Sequence, residues 1–300
     1  MIIERQDAIA VLLLPENQEP LDDIVKNLRG VKDIRRIILK LQKGIGSNPT
    51  GPASQGTGAK HGLFGTLVKL AFHCLSIRNA CYSLTRADNL NIKWKVLQIF
   101  DVDRLQLLGQ HISDTIDFNG STDQQRLVVN NGIDPDLDNL KRTYDGMDDM
   151  LSHVAKAAAD EIPAAFGVSL NVIYFPQLGY LIVVPLNSIT GQPVYYGEEL
   201  GDDRWEWIFS TEERAYFKDR KMKELDDYFG DLYGLICDRE IEIIQSLAEN
   251  ILEQRELWIA CSQVCGELDC ILALAQCARE YSWVRPTMTI DPVLQIEQGR

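Results

Sequence analysis

The chain has 300 residues and a mass of 33.9 kDa, enough for about two domains. Hydrophobic residues make up 45% and charged residues 25%, a globular balance that excludes a disordered tail, a collagen-like fibre and a membrane protein. Thirty basic against forty-four acidic residues leave a net charge of −14, which on its face argues against nucleic acid, whose phosphates repel an acidic surface.

The opening Met1-Ile2-Ile3-Glu4-Arg5-Gln6-Asp7 lacks the charged segment and apolar run of a secretion signal. No stretch approaches the roughly 18–20 apolar residues of a membrane span, so no membrane partner is expected. Residues 21–43 carry a helical pattern broken at Gly30. Val31, Ile34, Ile38 and Leu41 share one face at i, i+3, i+7 spacing, and Gly44 is expected to end the helix as a left-handed cap. Lys32, Arg35, Arg36, Lys40 and Lys43 lie on the other side with Asp33 as the sole acid, making this the most basic stretch of the protein. A solvated face of a packed helix is the ordinary reading of such a run.

Residues 44–62 are rich in Gly, Pro, Ser and Thr and read as a flexible insertion. Gly56-Thr57-Gly58-Ala59-Lys60 invites comparison with a phosphate loop, but Thr57 stands where that pattern needs Lys, and no hydrophobic strand precedes it. Residues 64–84 and 92–116 read as two helices, and Ile116–Asn131 as irregular. At Asp134-Pro135-Asp136 a helix start is expected: Asp134 accepts orphan N–H groups, and Pro135 suits the first position. The Asp134-x-Asp136-x-Asp138 run fails as a calcium loop, with Asn139 at the glycine position and Asp145 at the glutamate position.

Between 168 and 209 the period changes. Val172–Phe175 and Tyr180–Val184, joined by Pro176-Gln177-Leu178-Gly179, form a hairpin signature. Val194-Tyr195-Tyr196 is a further candidate strand, and Trp205, Trp207 and Phe209 alternate as another. Ser210-Thr211-Glu212-Glu213 matches a capping box and predicts a helix start. From Glu213 to Trp283 there is no proline, so one helix of about 70–100 Å is expected, kinked at a glycine and ended by Arg285-Pro286. The fold class is α+β, predominantly α: long antiparallel helices with a small inserted antiparallel β module.

Seven cysteines with no C-x-x-C pair point to a reducing compartment. Helical spacing puts Cys261 and Cys265 on one side and Cys270 and Cys277 on nearly the opposite one, so the four cannot converge on a zinc ion. The four histidines are scattered. No metal site and no catalytic residues are expected, and no nucleophile elbow, metalloprotease helix, Walker loop or dinucleotide fingerprint is present.

Leu268-Asp269-Cys270-Ile271-Leu272-Ala273-Leu274-Ala275, followed by Tyr281-Ser282-Trp283-Val284-Arg285-Pro286, is similar to the motif at the lever base of MutS-family proteins. Glu4-Arg5-Gln6-Asp7-Ala8-Ile9 resembles a motif at the start of that family's lever domain, and Gln295–Arg300 resembles the entry to its ATPase domain. Val172–Tyr180, Lys223-Glu224-Leu225-Asp226 and Gly230-Asp231-Leu232 resemble the meiotic class, MutS homologue five. The resemblance implies a lever/core domain over 1–165 with 44–62 as an insertion, a clamp β module over 166–212, return helices over 213–290, and the start of an ATPase domain over 291–300. It also implies a nuclear, non-catalytic region that binds branched or double-stranded DNA such as Holliday junctions in meiotic crossing-over. The expected partner is a sister homologue of the four class, and ATP and magnesium would belong to an ATPase domain outside this sequence. Family clamps touch the DNA backbone, which makes Arg204, Arg214, Lys218, Arg220, Lys221 and Lys223 the candidate contacts. Glu198, Glu199, Asp202, Asp203, Glu206, Glu212, Glu213 and Asp219 share the segment, however, and a surface ion pair is the ordinary reading of each cation. A helical scaffold that oligomerises through 213–283 without DNA is the alternative.

Overall fold

The computed structural model describes residues 2–46, 58–160, 162, 170–187, 190–197 and 205–297, with the backbone alone for 45, 46 and 58–61. The expected insertion lies mostly outside these residues, as does Arg204. Two compact units divide the chain: Met1–Asn130 with Ile244–Arg300, and Asn131–Ile243. The fold is predominantly α with one four-stranded antiparallel sheet.

The first unit holds α1 (Ile2–Leu12), α2 (Gln18–Leu28), α3 (Ile34–Gly46), α4 (Gly58–Ser83), α5 (Asn91–Ile99), α6 (Val102–Thr115) and α7 (Phe118–Asp123). Late in the chain it adds the end of α11 (Leu232–Glu253) and all of α12 (Arg255–Glu280). Along α4, Phe64, Leu67, Leu70, Ala71, Cys74, Ile77 and Cys81 are buried at i, i+3, i+4 spacing. Along α12, Trp258, Cys261, Val264, Cys265, Leu268, Ile271, Leu272 and Ala275 repeat that stripe and join the same core. Cys261 and Cys265 are buried while Cys270 is exposed, as the spacing required. Asn17 is fully buried and fully used: its amide donates to Val11 O (2.8 Å) and Thr85 O (3.1 Å) and accepts from Thr85 N (2.8 Å). The two terminal motifs also meet here. Arg285 pairs with Asp7 at 2.7 Å, and Gln6 Nε2 donates to Pro286 O at 3.1 Å.

Several expectations from pattern need correction in this unit. The helix α3 continues through Gly44 to Gly46. The stretch 92–116 is two helices, because the Asp101 carboxylate accepts from Arg104 N at 3.1 Å and caps a new start. The irregular segment contains α7 and a bridge between Ile116 and Val129. The final helix ends at Glu280, with Ser282 at φ 54°, before Arg285-Pro286 is reached. Contrary to the expectation for membrane spans, α12 is long and apolar enough to cross a bilayer, with a mean hydropathy of 1.5 over 18 residues. Its apolar stripe is packed into the unit's core, and its Glu267 pairs with Lys95 at 2.8 Å.

The second unit holds α8 (Pro135–Asp145), α9 (Met147–Asp160), β1 (Asn171–Phe175), β2 (Gly179–Pro185), β3 (Glu206–Ser210), β4 (Arg214–Lys218), α10 (Arg220–Phe229) and the start of α11. Asp134 caps α8 as expected, accepting from Leu137 N at 2.8 Å, and Gly146 separates α8 from α9. The sheet order is β1-β2-β4-β3, all antiparallel. Val172, Tyr180, Ile182, Val184, Ala215 and Phe217 face Met147, Leu151 and Ala155 of α9 and Met222 of α10. Tyr180 through Val184 are all buried, so β2 is covered on both faces.

The capping box at Ser210–Glu213 is instead the turn between β3 and β4. Ala215 and Phe217 alternate as buried residues opposite Val184 and Ile182, and that pairing outweighs the local helix signal. The helix that follows starts later, where Asp219 accepts from Met222 N at 2.7 Å. The expected single helix over 213–283 is therefore β4 followed by α10, α11 and α12, of 5, 10, 22 and 26 residues, the last about 39 Å long. Gly230, at φ 62° and ψ −155°, makes the first break in a region of backbone space that glycine alone occupies readily. Val194-Tyr195-Tyr196 forms no strand; the neighbouring contact is a single bridge from Leu186 to Pro193.

Candidate nucleic-acid interface

Five of the six candidate cations are described, and the strand β4 and helix α10 position them. Arg214 opens β4, opposite Pro185. Lys218 closes it, opposite Glu206, so the two are separated by about 13 Å along the strand. Arg220, Lys221 and Lys223 follow in the first turn of α10. The structure thus gathers Lys218, Arg220, Lys221 and Lys223 near one end of the sheet and leaves Arg214 at the other.

Cations in a first helical turn oppose the helix dipole, and here carboxylates compensate them. Arg220 pairs with Glu224 at 3.0 Å, one helical turn on. Lys223 pairs with Glu206 of β3 at 2.8 Å. Their hydrogen bond holds the Glu206 carboxyl below its usual range and pushes the Lys223 ammonium up. Lys221 is half-buried. All three of Arg214, Arg220 and Lys223 are exposed.

Lys218 differs from the others. Its side chain is only 16% exposed, pairs with Asp226 of α10 at 2.5 Å, and donates to Leu178 O at 2.8 Å. The same Asp226 accepts from Tyr180 N at 2.9 Å. One carboxylate therefore ties the β1–β2 turn, the end of β4 and the body of α10 together. Lys218 is a fastening of the fold, and phosphate cannot take it without releasing Asp226.

Behind this end lies a ring cluster. Tyr174 packs against Tyr144 (6.2 Å between centroids) and Tyr180 (5.2 Å), and its hydroxyl donates to Asp231 while accepting from Tyr233 N at 3.3 Å. Burial, then that bond to a carboxylate, pushes the Tyr174 hydroxyl well above the usual phenol range. On the other face, Phe209 stacks on Tyr216 at 4.3 Å and meets Phe175 edge-on at 6.3 Å. Trp207 stands 62% exposed on β3. A second ion-pair set joins α8 to α11: Arg239 to Asp134 at 2.7 Å, and Lys141 to the buried Glu240 at 2.8 Å.

Ion pairing of these cations is what the mixed charge of the segment predicts, with Glu206 among the acids that share it; the partners Glu224 and Asp226 are not among those acids. The spacing of Arg220 and Glu224 at i, i+4 was available as a signal. The pairing of Lys223 with Glu206 depends on β3 folding beside β4, which no local pattern encodes. Among the described residues no group of three or more His, Cys, Asp or Glu side chains is arranged to hold a metal ion.

Comparison with known proteins adds what geometry cannot. A family model described as MutS domain III matches residues 1–275. MutS protein homolog 5 of Saccharomyces cerevisiae is 31% identical over 226 residues, covering 71% of this chain and 24% of the relative. MutS protein homolog 5 of Caenorhabditis elegans is 26% identical over 180 residues, covering 60% and 12%. The DNA mismatch repair protein MutS of Carboxydothermus hydrogenoformans is 23% identical over 302 residues, covering 100% and 32%. The chain spans less than a third of the length of each of these relatives. By its domain III the chain belongs to the MutS family, and its likeness within that family extends to the class of MutS homologue five.

Proposed function

We propose that this chain is a non-catalytic, DNA-handling region of a MutS-like protein of meiotic recombination. It binds the backbone of branched or double-stranded DNA, Holliday junctions among them, in the nucleus. It works beside a sister homologue of the four class and couples a clamp over 166–212 to an ATPase domain through lever segments over 1–165 and 213–290. No nucleotide step is assigned to its own residues. The observation that carries this reading is the domain III match over 1–275, joined to the likeness to two MutS protein homolog 5 sequences.

Of the described candidates, Arg214, Arg220 and Lys223 are exposed, and Arg220 and Lys223 lie together at the start of α10. Arg220 and Lys223 both pair with carboxylates that are themselves more than half exposed. Such solvent-screened surface pairs are weak, so phosphate oxygens can replace the carboxylates at little cost. Contacts of this kind read no base edges, and binding through them is sequence-indifferent and salt-sensitive. The scaffold alternative loses its main support, because the apolar stripe of α12 is spent inside the first unit.

The test is fluorescence anisotropy of a labelled four-way junction and a matched linear duplex in low and moderate salt. Binding at low salt is expected, tightened several-fold when Glu206→Gln and Glu224→Gln release the cations. No binding to either DNA at low salt would refute the proposal.

A further inference from the structure

The cations of the first unit are arranged differently from those of the clamp. On α3 the buried Ile34, Ile37, Ile38 and Leu41 fix the inner face. At about 100° per residue, Arg36, Lys40 and Lys43 then form one row on the opposite face, with Arg35 beside it and Lys32 just before the helix. All five are exposed, and none has an ion pair among the described residues. The single acid of the segment, Asp33, is occupied in capping the helix, accepting from Arg36 N at 3.0 Å. In a chain of net charge −14, carboxylates are plentiful, yet among the described residues this face has recruited none into an ion pair.

We infer that the outer face of α3 is a second contact for the phosphate backbone of duplex DNA, carried by Arg36, Lys40 and Lys43 with Arg35 and Lys32 at its margin. The inference rests on the reading that the protein works on DNA, and adds to it a site in the other unit. From Arg36 to Lys43 the row rises about 10 Å, the axial span of roughly three phosphates of one strand. Leu39 is the one large apolar side chain exposed among these cations, too little for the core of a protein interface. The face therefore fits a polyanion bound through its charge, with no preference for sequence or for branching.

The experiment measures the salt dependence of anisotropy with linear duplex and four-way junction. It compares the wild-type chain, a triple variant Arg36→Gln, Lys40→Gln, Lys43→Gln, and a charge-keeping variant Arg36→Lys, Lys40→Arg, Lys43→Arg. Circular dichroism checks that both variants fold. Loss of three phosphate contacts lowers the slope of log affinity against log salt by about 2.7, so between 50 and 200 mM salt the wild type loses about 40-fold more affinity than the triple variant. The same change is expected for both DNAs, and the charge-keeping variant, whose fold does not depend on removing charge, retains the wild-type slope. A triple variant with the wild-type slope overturns this inference and leaves the clamp reading standing. Wild-type chain that binds neither DNA overturns both. Loss of binding to poly-glutamate with DNA binding intact assigns the face to an acidic protein and also overturns it.

Discussion

Replacing Gly179 by alanine tests the fastening at the end of the four-stranded sheet. Gly179 lies at φ 79°, and a Cβ there would stand 2.0 Å from Asp226 Oδ1 and 2.8 Å from its Cγ. Asp226 cannot withdraw freely, because it accepts from Tyr180 N and pairs with Lys218. Alanine at positive φ costs about 1–2 kcal/mol. Losing a hydrogen bond to the charged carboxylate adds about 1.5–3 kcal/mol, giving a total near 3–5 kcal/mol. Gly191 supplies the control: its φ is 66° and a Cβ there meets nothing within 4 Å, so Gly191→Ala should cost only the conformational part, about 1–2 kcal/mol. Urea unfolding read by hydrogen exchange over residues 171–229 measures both. Adding Asp226→Ala removes the obstacle, and in that background Gly179→Ala should cost no more than Gly191→Ala. Equal destabilisation by the two glycine variants in the wild-type background would refute the account of Asp226 as the shared tie.

Trp258 is fully buried, and its indole N–H has no hydrogen-bond partner among the described residues. Trp258→Ala should therefore cost about 3–5 kcal/mol and Trp258→Phe less than about 2, since phenylalanine keeps much of the volume and removes an unsatisfied donor; equal losses in urea unfolding would contradict this. The hydrogen bond from Arg239, followed by that from Leu137 N, holds the Asp134 carboxyl below its usual range. A depressed folded pKa contributes stability above the unfolded value, about 3.9, and the contribution is lost as pH falls through the folded value. Asp134→Asn should thus lower the Tm at pH 7, with the gap closing below about pH 4, and a gap that stays constant would count against the pair. Among the thiols, Cys270 is exposed, Cys237 and Cys277 are half-buried, and Cys74, Cys81, Cys261 and Cys265 are buried. Burial pushes Cys81 up to about 12, and hydrogen bonding with Cys261 and Cys265 pushes Cys74 up too. Native maleimide labelling followed by intact mass should stop at three additions and reach seven in urea; a fourth rapid native addition would show that the core thiols are open.

What was legible in the sequence was local. The Asp134-Pro135 start, the β1–β2 hairpin, the inner stripe of α3 and the opposed sides of Cys261 and Cys270 each depend on residues within a few positions of one another. The errors arose where a local signal was degenerate or a partner was remote. Ser210–Glu213 has the chemistry of a capping box, but β2 was already placed to pair with Arg214–Lys218 and decided the matter. A kink at glycine is the break that composition suggests in 213–283, yet Gln254 interrupts it as well, at φ −94° and ψ 16°. At the candidate interface the residue types give both the cations and the expectation that acids pair with them, whereas which acid meets which cation is not local information. Glu206 precedes Lys223 by 17 positions and reaches it only because β3 returns alongside β4.

That neutralisation changes what the net charge means. A total of −14 describes the molecule at distances beyond about 8 Å only weakly, because physiological salt screens exposed charges over that length. A phosphate approaching the surface responds instead to the cations and carboxylates beside it. Around the start of α10 the two nearly balance, so a phosphate gains there only what it wins in competition with Glu206 and Glu224. Along α3 none of the cations is held in an ion pair among the described residues, and the one acid of the segment, Asp33, caps the helix, so a phosphate gains more of the local attraction. The two faces therefore differ in salt response as well as in strength. Removing Glu206 or Glu224 should steepen the salt slope by supplying a new unpaired cation, while removing an α3 cation should flatten it, and an overall negative charge forbids neither.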